Sequence, residues 1–233
     1  MNRIVKLTAA TAVYERLRRD ILNGSLRPGQ KLVIDLISDR YGAGLNPVRE
    51  ALNRLSSEGL VERKDQRGFF VPPVSIEGWR DLVRTRCWLE SKALEEAIAN
   101  GDRAWEELIV VAFHHLSRTP WKRSDEDTTT NPDWEERHRA FHLALLSACG
   151  SAILVEICGD LMDKAQRYRF ISVASHPDRN TVEEHRHIME AALDRQPGLA
   201  IDRLVEHYQT TLRHIEEQIA PWSTIGIDPP SIG

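Results

Sequence analysis

The sequence predicts a mainly α-helical protein with an N-terminal winged helix-turn-helix and a C-terminal all-α helical bundle. Apolar residues recur at helical spacing through most of the 233 residues, which is typical of amphipathic helices. One short stretch, residues 60–71, instead predicts two strands around a turn, and no strand pattern follows it. We therefore predict a first domain at residues 1–73, a helical domain at 74–220 and a disordered tail at 221–233.

In the first domain, short helices alternate with turns. Apolar spacing predicts three helices, at residues 9–23, 34–41 and 48–58. Asn46 is predicted to cap the third helix, with Pro47 at its first position. Residues 60–63 and 69–71 predict strands joined by a hairpin at 64–68. Three short helices followed by a hairpin are typical of a winged helix.

The second domain contains only helical patterns. Six helices are predicted, at residues 76–100, 103–116, 134–148, 152–173, 180–194 and 199–219. The polar segment at 118–132 carries prolines and a run of threonines, and it is predicted to be a long loop. This succession of helices predicts a bundle.

Composition indicates a globular, cytoplasmic protein. Hydrophobic residues make up 41% and charged residues 28% of the chain, which is close to globular averages. No apolar run approaches the roughly 20 residues of a membrane-spanning helix, and the N-terminus lacks a signal-peptide core, so no membrane association is predicted. Cys87, Cys149 and Cys158 form no CxxC pair and are predicted to be buried thiols in a reducing compartment.

Charge is distributed unevenly between the two predicted domains. Residues 1–73 hold 13 lysines and arginines against 8 aspartates and glutamates, a net charge of +5. The remainder holds 18 basic against 27 acidic residues, a net charge of −9. A basic first domain on an acidic body suggests a polyanionic partner for the first domain alone.

The third predicted helix has the position of a DNA recognition helix. A helix-turn-helix places its second helix in the major groove, where the first residues of that helix meet base edges. Arg49 is therefore predicted to contact a guanine or a phosphate. Alternatively, Arg49, Glu50 and Arg54 form only a solvated charged face. The predicted DNA contacts are Gly44, Asn46, Arg49 and Asn53 near this helix, and Lys64, Gln66, Arg67 and Gly68 in the hairpin.

Residues 9–73 resemble the winged helix-turn-helix of the GntR superfamily of repressors. The resemblance rests on the segment PVREALNRLSSEGLVER, which LRPGQKL precedes and RGFFV follows. It implies that the protein binds operator DNA and that Arg49 contacts it. The family usually carries a serine or threonine plus an arginine where this chain has Gly44 and Leu45. One arginine that contacts a base or a phosphate is therefore missing here.

Four of the nine histidines occupy positions that suit a metal site. His138 and His142 are four residues apart on one predicted helix, so both point to the same side. His185 and His207 lie on two other helices, and a bundle can bring three helices together around one ion. Imidazole suits Zn, Ni, Cu and Fe(II). The spacing equally fits histidines that merely share a helix surface, so it leaves both interpretations open.

Residues 76–219 resemble the FadR-type ligand-binding domain of the same superfamily, the helical bundle called FCD. The matching positions are Arg86-x-x-Leu-Glu90, Phe141-His142, Glu184-His185 and His207. Many members bind a divalent metal through three histidines and an aspartate, and His138 occupies the aspartate's position here. The resemblance therefore implies a metal held by four histidines, with zinc or nickel favoured over manganese. We expect binding to weaken below about pH 6.5, where imidazole is protonated.

The same resemblance implies an effector carboxylate bound beside the metal. An arginine suits a carboxylate, because its planar fork binds both oxygens. The candidates are Arg86, Arg84, Arg167 and Arg169. Arg86 could instead form only a salt bridge with Glu90, four residues further on. At most one of Arg167 and Arg169 is predicted to face a cavity, because alternate residues on a helix diverge.

Within this family the chain is most similar to the carbon-starvation-induced (CsiR-like) group, through the segments RCWLE, ALLSACGS, RYRF and EHRHIMEAAL. That similarity implies a small dicarboxylate effector such as glutarate, whose binding weakens DNA binding. The predicted function is that of a transcriptional repressor, and no enzymatic activity is predicted. The repressor is predicted to bind operator DNA as a homodimer. Two alternatives stay open: a metal-dependent enzyme on a helical bundle, and a regulator that senses the metal itself. No HExxH, nucleophile elbow or phosphate-binding loop supports the enzyme.

Overall fold

The computed structural model describes residues 8–124, 130–172 and 179–223, and it confirms the mainly α-helical fold class. The chain divides into two compact units, Met1–Val74 and Ser75–Gly233. The described part of the first unit combines helices with a small sheet, whereas that of the second contains helices alone.

The first unit contains the elements of a winged helix. Its described residues form helices α1 (Ala9–Leu22), α2 (Ile34–Tyr41) and α3 (Leu45–Ser57) and strands β1 (Lys31–Leu32), β2 (Glu62–Lys64) and β3 (Gly68–Phe70). The strands are antiparallel in the order β1-β3-β2, with Lys31 opposite Phe70 and Lys64 opposite Gly68. The β2–β3 hairpin confirms the predicted wing. The sequence does not predict β1, because two residues are too few to show strand alternation.

Helical periodicity explains the core of the first unit. The apolar faces of α1 and α3 meet there, and Leu17, Leu52 and Leu55 are completely buried. The opposite face of α3 carries polar residues and stays exposed at Arg49 and Asn53. The apolar face of α3 thus fixes the helix in the unit and leaves its polar face available to a partner.

Helix α3 begins at Leu45, so the prediction that Asn46 caps a helix starting two residues later is wrong. Gly44 is the N-cap, with an extended backbone (φ −69°, ψ 159°) and no side-chain hydrogen bond to the helix. Pro47 then lies inside the first turn rather than at the first position. Because the N–H groups of that turn have no intrahelical acceptor, a proline fits anywhere in it and does not fix the boundary.

The second unit is a bundle over its described residues. Its helices are α4 (Ile76–Asn100), α5 (Arg103–Arg118), α6 (Pro132–Leu146), α7 (Ala152–Ser172), α8 (Thr181–Leu193) and α9 (Pro197–Ser223). Four of them have side-chain caps, because Ser75, Asp102, Asn131 and Asn180 each accept a hydrogen bond from a backbone N–H of the first turn. These caps explain why α4, α5, α6 and α8 begin where they do.

Helix α9 continues to Ser223, so the predicted tail starts too early at residue 221. Pro221 suggested that end, but a proline close to a helix terminus removes only one intrahelical hydrogen bond. Residues 224–233 lie outside the described residues, as do residues 125–129 of the predicted loop at 118–132. Within the described ranges, no helix is long and apolar enough to cross a membrane.

Candidate DNA interface and metal centre

A cleft of about 290 Å³ lies between helix α3 and the β2–β3 hairpin of the first unit. Its lining consists of Arg49, Asn53, Arg63, Lys64, Asp65, Gln66, Gly68 and Phe69. The structure therefore brings together five of the predicted DNA contacts, namely Arg49, Asn53, Lys64, Gln66 and Gly68. Arg63, Asp65 and Phe69 were not predicted, because nothing in the hairpin sequence separates residues facing α3 from residues facing away.

The other three predicted DNA contacts lie outside this cleft. Gly44 and Asn46 are exposed at the start of α3. Arg67 is exposed in the hairpin turn, where its guanidinium carbon lies 5.8 Å from the centre of the Phe70 ring. These three residues remain predicted DNA contacts. Gly44 and Asn46 lie at the N-terminal end of α3, and Arg67 lies at the tip of the wing.

Two arginines of α3 differ in what they contact. The Arg54 guanidinium stacks on the Tyr14 ring, 3.7 Å from its centre, and lies 3.5 Å from Glu58. Arg49 makes no ion pair, hydrogen bond or ring contact with the part of the chain that the structure describes. Arg54 therefore stabilises the unit itself, whereas Arg49 is exposed and available to a phosphate or a base.

The four predicted metal ligands converge inside the second unit. His138 and His142 lie on α6, His185 on α8 and His207 on α9, and all four are buried. One ring nitrogen from each lies within 4.8 Å of the others. The Nε2 atom of His142 is 3.2 Å from the Nε2 atoms of both His138 and His185. Two nitrogens bound about 2.1 Å from one ion lie roughly 3.0–3.4 Å apart, so this spacing fits a metal site.

Hydrogen bonds on the far side of the rings hold three of the histidines. The Nδ1–H of His185 donates to the carbonyl oxygen of Thr181 at 2.6 Å, and that of His207 donates to Glu184 at 2.6 Å. The Nδ1 atom of His142 lies 3.1 Å from the hydroxyl oxygen of Tyr208. Because these contacts place the proton on Nδ1, they leave each Nε2 lone pair facing the centre.

Tyr208 connects His142 to a buried ion pair through two hydrogen bonds. Its hydroxyl lies 2.5 Å from Glu90, and a carboxylate can only accept, so the tyrosine donates there. Its oxygen is then left to accept the Nδ1–H of His142. Glu90 is itself paired with Arg86 at 2.6 Å, and both are buried. Arg86 therefore forms the salt bridge with Glu90 that the sequence predicted as its alternative role.

The rings are kept neutral by their surroundings. Burial lowers the pKa of His138, His142 and His207 well below the usual value, and it lowers the pKa of His185 to about 4. For the first three, the neighbouring imidazoles and arginines lower the pKa further. Protons therefore compete for these nitrogens only at pH values below about 6.5, and the expected weakening of metal binding at low pH stays a prediction.

A cavity of about 50 Å³ adjoins the histidines. Its lining includes three arginines and three tryptophans among the described residues, namely Arg86, Arg169, Arg179, Trp79, Trp121 and Trp134. Each arginine is paired with a glutamate that is not part of the lining: Arg86 with Glu90, Arg169 with Glu135 at 2.7 Å, and Arg179 with Glu184 at 2.6 Å. The cavity therefore presents guanidinium groups on aromatic walls, and guanidinium groups bind carboxylates.

Two of the predicted effector arginines are not in this lining. Arg84 is exposed and paired with Asp81 at 2.5 Å, outside the lining of this cavity. It lies two residues before Arg86, and alternate residues on a helix point to different sides. Arg167 is buried, but of the two arginines at 167 and 169 only Arg169 lines the cavity.

Sequence reasoning missed Arg179 and two of the three glutamate partners, Glu135 and Glu184. Arg179 lies in a predicted interhelical segment, where no periodicity assigns a direction to a side chain. Glu135 and Glu184 were visible only as acidic residues near predicted ligands. Glu184 directly precedes His185 in the sequence, yet it accepts from His207 on another helix, a contact that only the packing of α8 on α9 creates.

Comparison with known proteins identifies the family. Residues 9–71 match the family described as bacterial regulatory proteins, gntR family, and residues 81–210 match the FCD domain. The chain belongs to the gntR family. The resemblance inferred from the sequence is thereby confirmed, including the FCD domain. FCD domains often bind a metal ion, and this regulator has a histidine cluster that could hold one.

Named relatives agree with this assignment. The regulator is 36% identical over 212 residues to the HTH-type transcriptional regulator BphR of Paraburkholderia xenovorans. The matched region covers 88% of the chain and 84% of BphR. The regulator is 32% identical over 214 residues to the HTH-type transcriptional repressor GlaR of Escherichia coli, covering 89% and 96%. The chain is therefore a DNA-binding transcriptional regulator and not an enzyme.

A solved structure shows the same fold. The structure of E. coli McbR/YncC superposes with a TM-score of 0.75 at 22% identity, over 91% of the chain and 99% of that protein. At this identity the likeness concerns architecture alone. It confirms that a winged helix-turn-helix and a helical bundle occur together in one chain of this kind.

Proposed function

We propose that this regulator is a repressor whose affinity for operator DNA is lowered by a small dicarboxylate, such as glutarate, bound beside a zinc ion. One observation carries the proposal: four buried imidazoles each place one ring nitrogen within 4.8 Å of the others, beside a cavity whose lining includes arginines. His138, His142, His185 and His207 would hold the ion, with nickel as the alternative to zinc. When bound, the ion would supply a Lewis-acidic centre to which a carboxylate could add as a fifth ligand.

The charge balance of the site favours a dianion. The arginines of the lining are each neutralised by a glutamate, and burial keeps the histidines neutral. A divalent ion on neutral ligands would therefore leave two positive charges uncompensated in a buried site. A dicarboxylate supplies two negative charges, whereas a monocarboxylate supplies one. Arg169 and Arg179 are the side chains proposed to face the acid, together with Arg86.

The proposed operator complex is that of a homodimer with two DNA half-sites, as is usual for helix-turn-helix proteins. Control then requires that the acid binds the DNA-incompetent arrangement better, with a coupling free energy of about 1–3 kcal/mol. A cavity beside the histidines favours this scheme over a regulator that senses only the metal, because a metal sensor needs no ligand space.

The test is an operator-shift assay on promoter DNA next to the gene, with zinc-loaded protein titrated with glutarate, succinate, lactate and citrate. Release of the shifted band by glutarate at a concentration where lactate has no effect would support the proposal. Binding that no acid alters would refute the effector scheme. Release on removing zinc, without any acid, would instead favour the metal sensor.

We expect Tyr208→Phe to weaken zinc binding by about tenfold, because His142 then loses the acceptor that fixes its Nδ1–H. Titration against a fluorescent zinc chelator measures the affinity. Glu90→Gln should act in the same direction, since the tyrosine hydroxyl then loses its carboxylate acceptor. Tyr14→Phe is the control, because that hydroxyl bonds Glu58 in the other unit. Equal affinities of wild type and Tyr208→Phe would contradict this role of Tyr208.

The stability of the zinc-free protein should fall as pH is lowered from about 6.5 towards 4. The folded pKa of His185 is about 4, whereas the unfolded value is near 6.5. Between these values the unfolded chain binds protons that the folded chain excludes, so protonation favours unfolding. Each such histidine contributes a slope of about 1.4 kcal/mol per pH unit.

Calorimetric melting temperatures across this pH range measure the effect. His185→Asn should flatten the profile, whereas His187→Asn should not, because His187 lies on the same helix but is exposed. A wild-type melting temperature that stays constant from pH 6.5 to 4.5 would show that the imidazoles are not buried in neutral form.

A further inference from the structure

Leu45 is an apolar side chain left exposed on the recognition helix. It is the first residue of α3, and 48% of its surface is exposed. The apolar face of the same helix is complete without it, because Val48, Leu52 and Leu55 are completely buried. Leu45 therefore contributes little to folding, and its exposed surface is accessible to a partner outside the unit.

The position of Leu45 aligns it with the proposed DNA contacts. Leu45, Arg49 and Asn53 follow one another at intervals of four residues, so they share one face of α3. Arg49 and Asn53 line the cleft towards the wing. Leu45 extends this face at the N-terminal end of the helix, which is the end that a recognition helix presents to base edges. Gly44 before it carries no side chain that could cover it.

The chemistry of the major groove limits what an exposed leucine can contact. Base edges there present hydrogen-bond donors and acceptors, and the one apolar group is the 5-methyl of thymine. A leucine against any other edge would desolvate polar atoms without replacing their hydrogen bonds. The family resemblance places an arginine at this position, so a leucine here exchanges a hydrogen-bonding contact for an apolar one.

We propose that Leu45 reads a thymine methyl group in each half-site of the operator. This inference rests on the proposed function only in requiring that α3 enters the major groove of operator DNA. Burial of one methyl group is worth about a fourfold change in affinity. The contact would thus contribute to sequence preference, while Arg49 supplies most of the binding.

The experiment removes that methyl group and nothing else. Full-length, zinc-loaded protein first selects its preferred duplex from a randomised library. Each thymine of that duplex is then replaced singly by deoxyuridine, and affinities are measured by fluorescence anisotropy. We expect wild type to lose about fourfold in affinity at one thymine position of a half-site, and Leu45→Ala to lose about fourfold on the thymine duplex with no further loss on the uracil duplex.

Leu36→Ala is the matched control. Leu36 lies on α2 and is 66% exposed, and its variant should retain the full uracil penalty. The inference would be overturned if the affinity of the wild type did not change with uracil at any position. It would also be overturned if Leu45→Ala lost as much affinity on the uracil duplex as the wild type does. Either result would leave operator binding intact. A wild type that selects no duplex at all would refute operator binding itself, and this inference with it.

Discussion

Replacing Arg49 by alanine is expected to abolish operator retardation. Arg49 lies on the exposed face of α3 in the cleft towards the wing, and it makes no hydrogen bond, ion pair or ring contact with the described part of the chain. Loss of one well-placed arginine contact costs about tenfold to hundredfold in each half-site. With two half-sites the two losses combine, so affinity should fall by roughly a hundredfold or more. Anisotropy titration at fixed salt measures the change, because salt alone alters such affinities strongly.

The fold of this variant should be unchanged, since Arg49 stabilises nothing in the unit. Arg54→Ala provides the contrast, because Arg54 stacks on Tyr14 and pairs with Glu58. That variant should lower the melting temperature of the first unit and weaken DNA binding only indirectly. Full operator affinity in Arg49→Ala, at an unchanged melting temperature, would show that α3 does not present this face to DNA.

Helical periodicity accounts for what the sequence could predict. His138 and His142 are four residues apart, so any helix places them on one side, and the packing of three helices brings His185 and His207 to them. The same rule separates Arg169 from Arg167 and Arg86 from Arg84. Spacing along one helix therefore predicts which residues share a face.

Spacing along one helix does not predict contacts between helices that are far apart in the sequence. The acceptors behind the imidazoles are Tyr208 on α9 and Glu184 on α8, and their partners His142 and His207 lie on other helices. Burial of the imidazoles also depends on how the whole bundle packs. The sequence alone therefore predicts a histidine pKa near 6.5, whereas burial in the bundle lowers it. The sequence contains the residues of these networks but no signal that pairs them.

The charge at position 138 should decide which acid the regulator accepts. Aspartate is the ligand that the family resemblance places there, so His138→Asp should retain zinc while adding one negative charge to the site. The ion would then carry one uncompensated charge rather than two, and the second carboxylate of glutarate would be repelled. Two charges about 4 Å apart interact by up to about 4 kcal/mol at an effective dielectric constant of 20. Allowing for solvent in the cavity, the preference for glutarate over pentanoate should fall by roughly tenfold to hundredfold.

Glutarate and pentanoate share a five-carbon chain and differ in one carboxylate, so calorimetric affinities of the two acids isolate the charge effect. His138→Asn is the control, because asparagine has the shape of aspartate without its charge and should keep the wild-type preference for glutarate. If His138→Asp binds zinc and still prefers glutarate by the wild-type factor, charge balance does not select the effector. The arginines that line the cavity, Arg86, Arg169 and Arg179, would then have to select it by geometry alone.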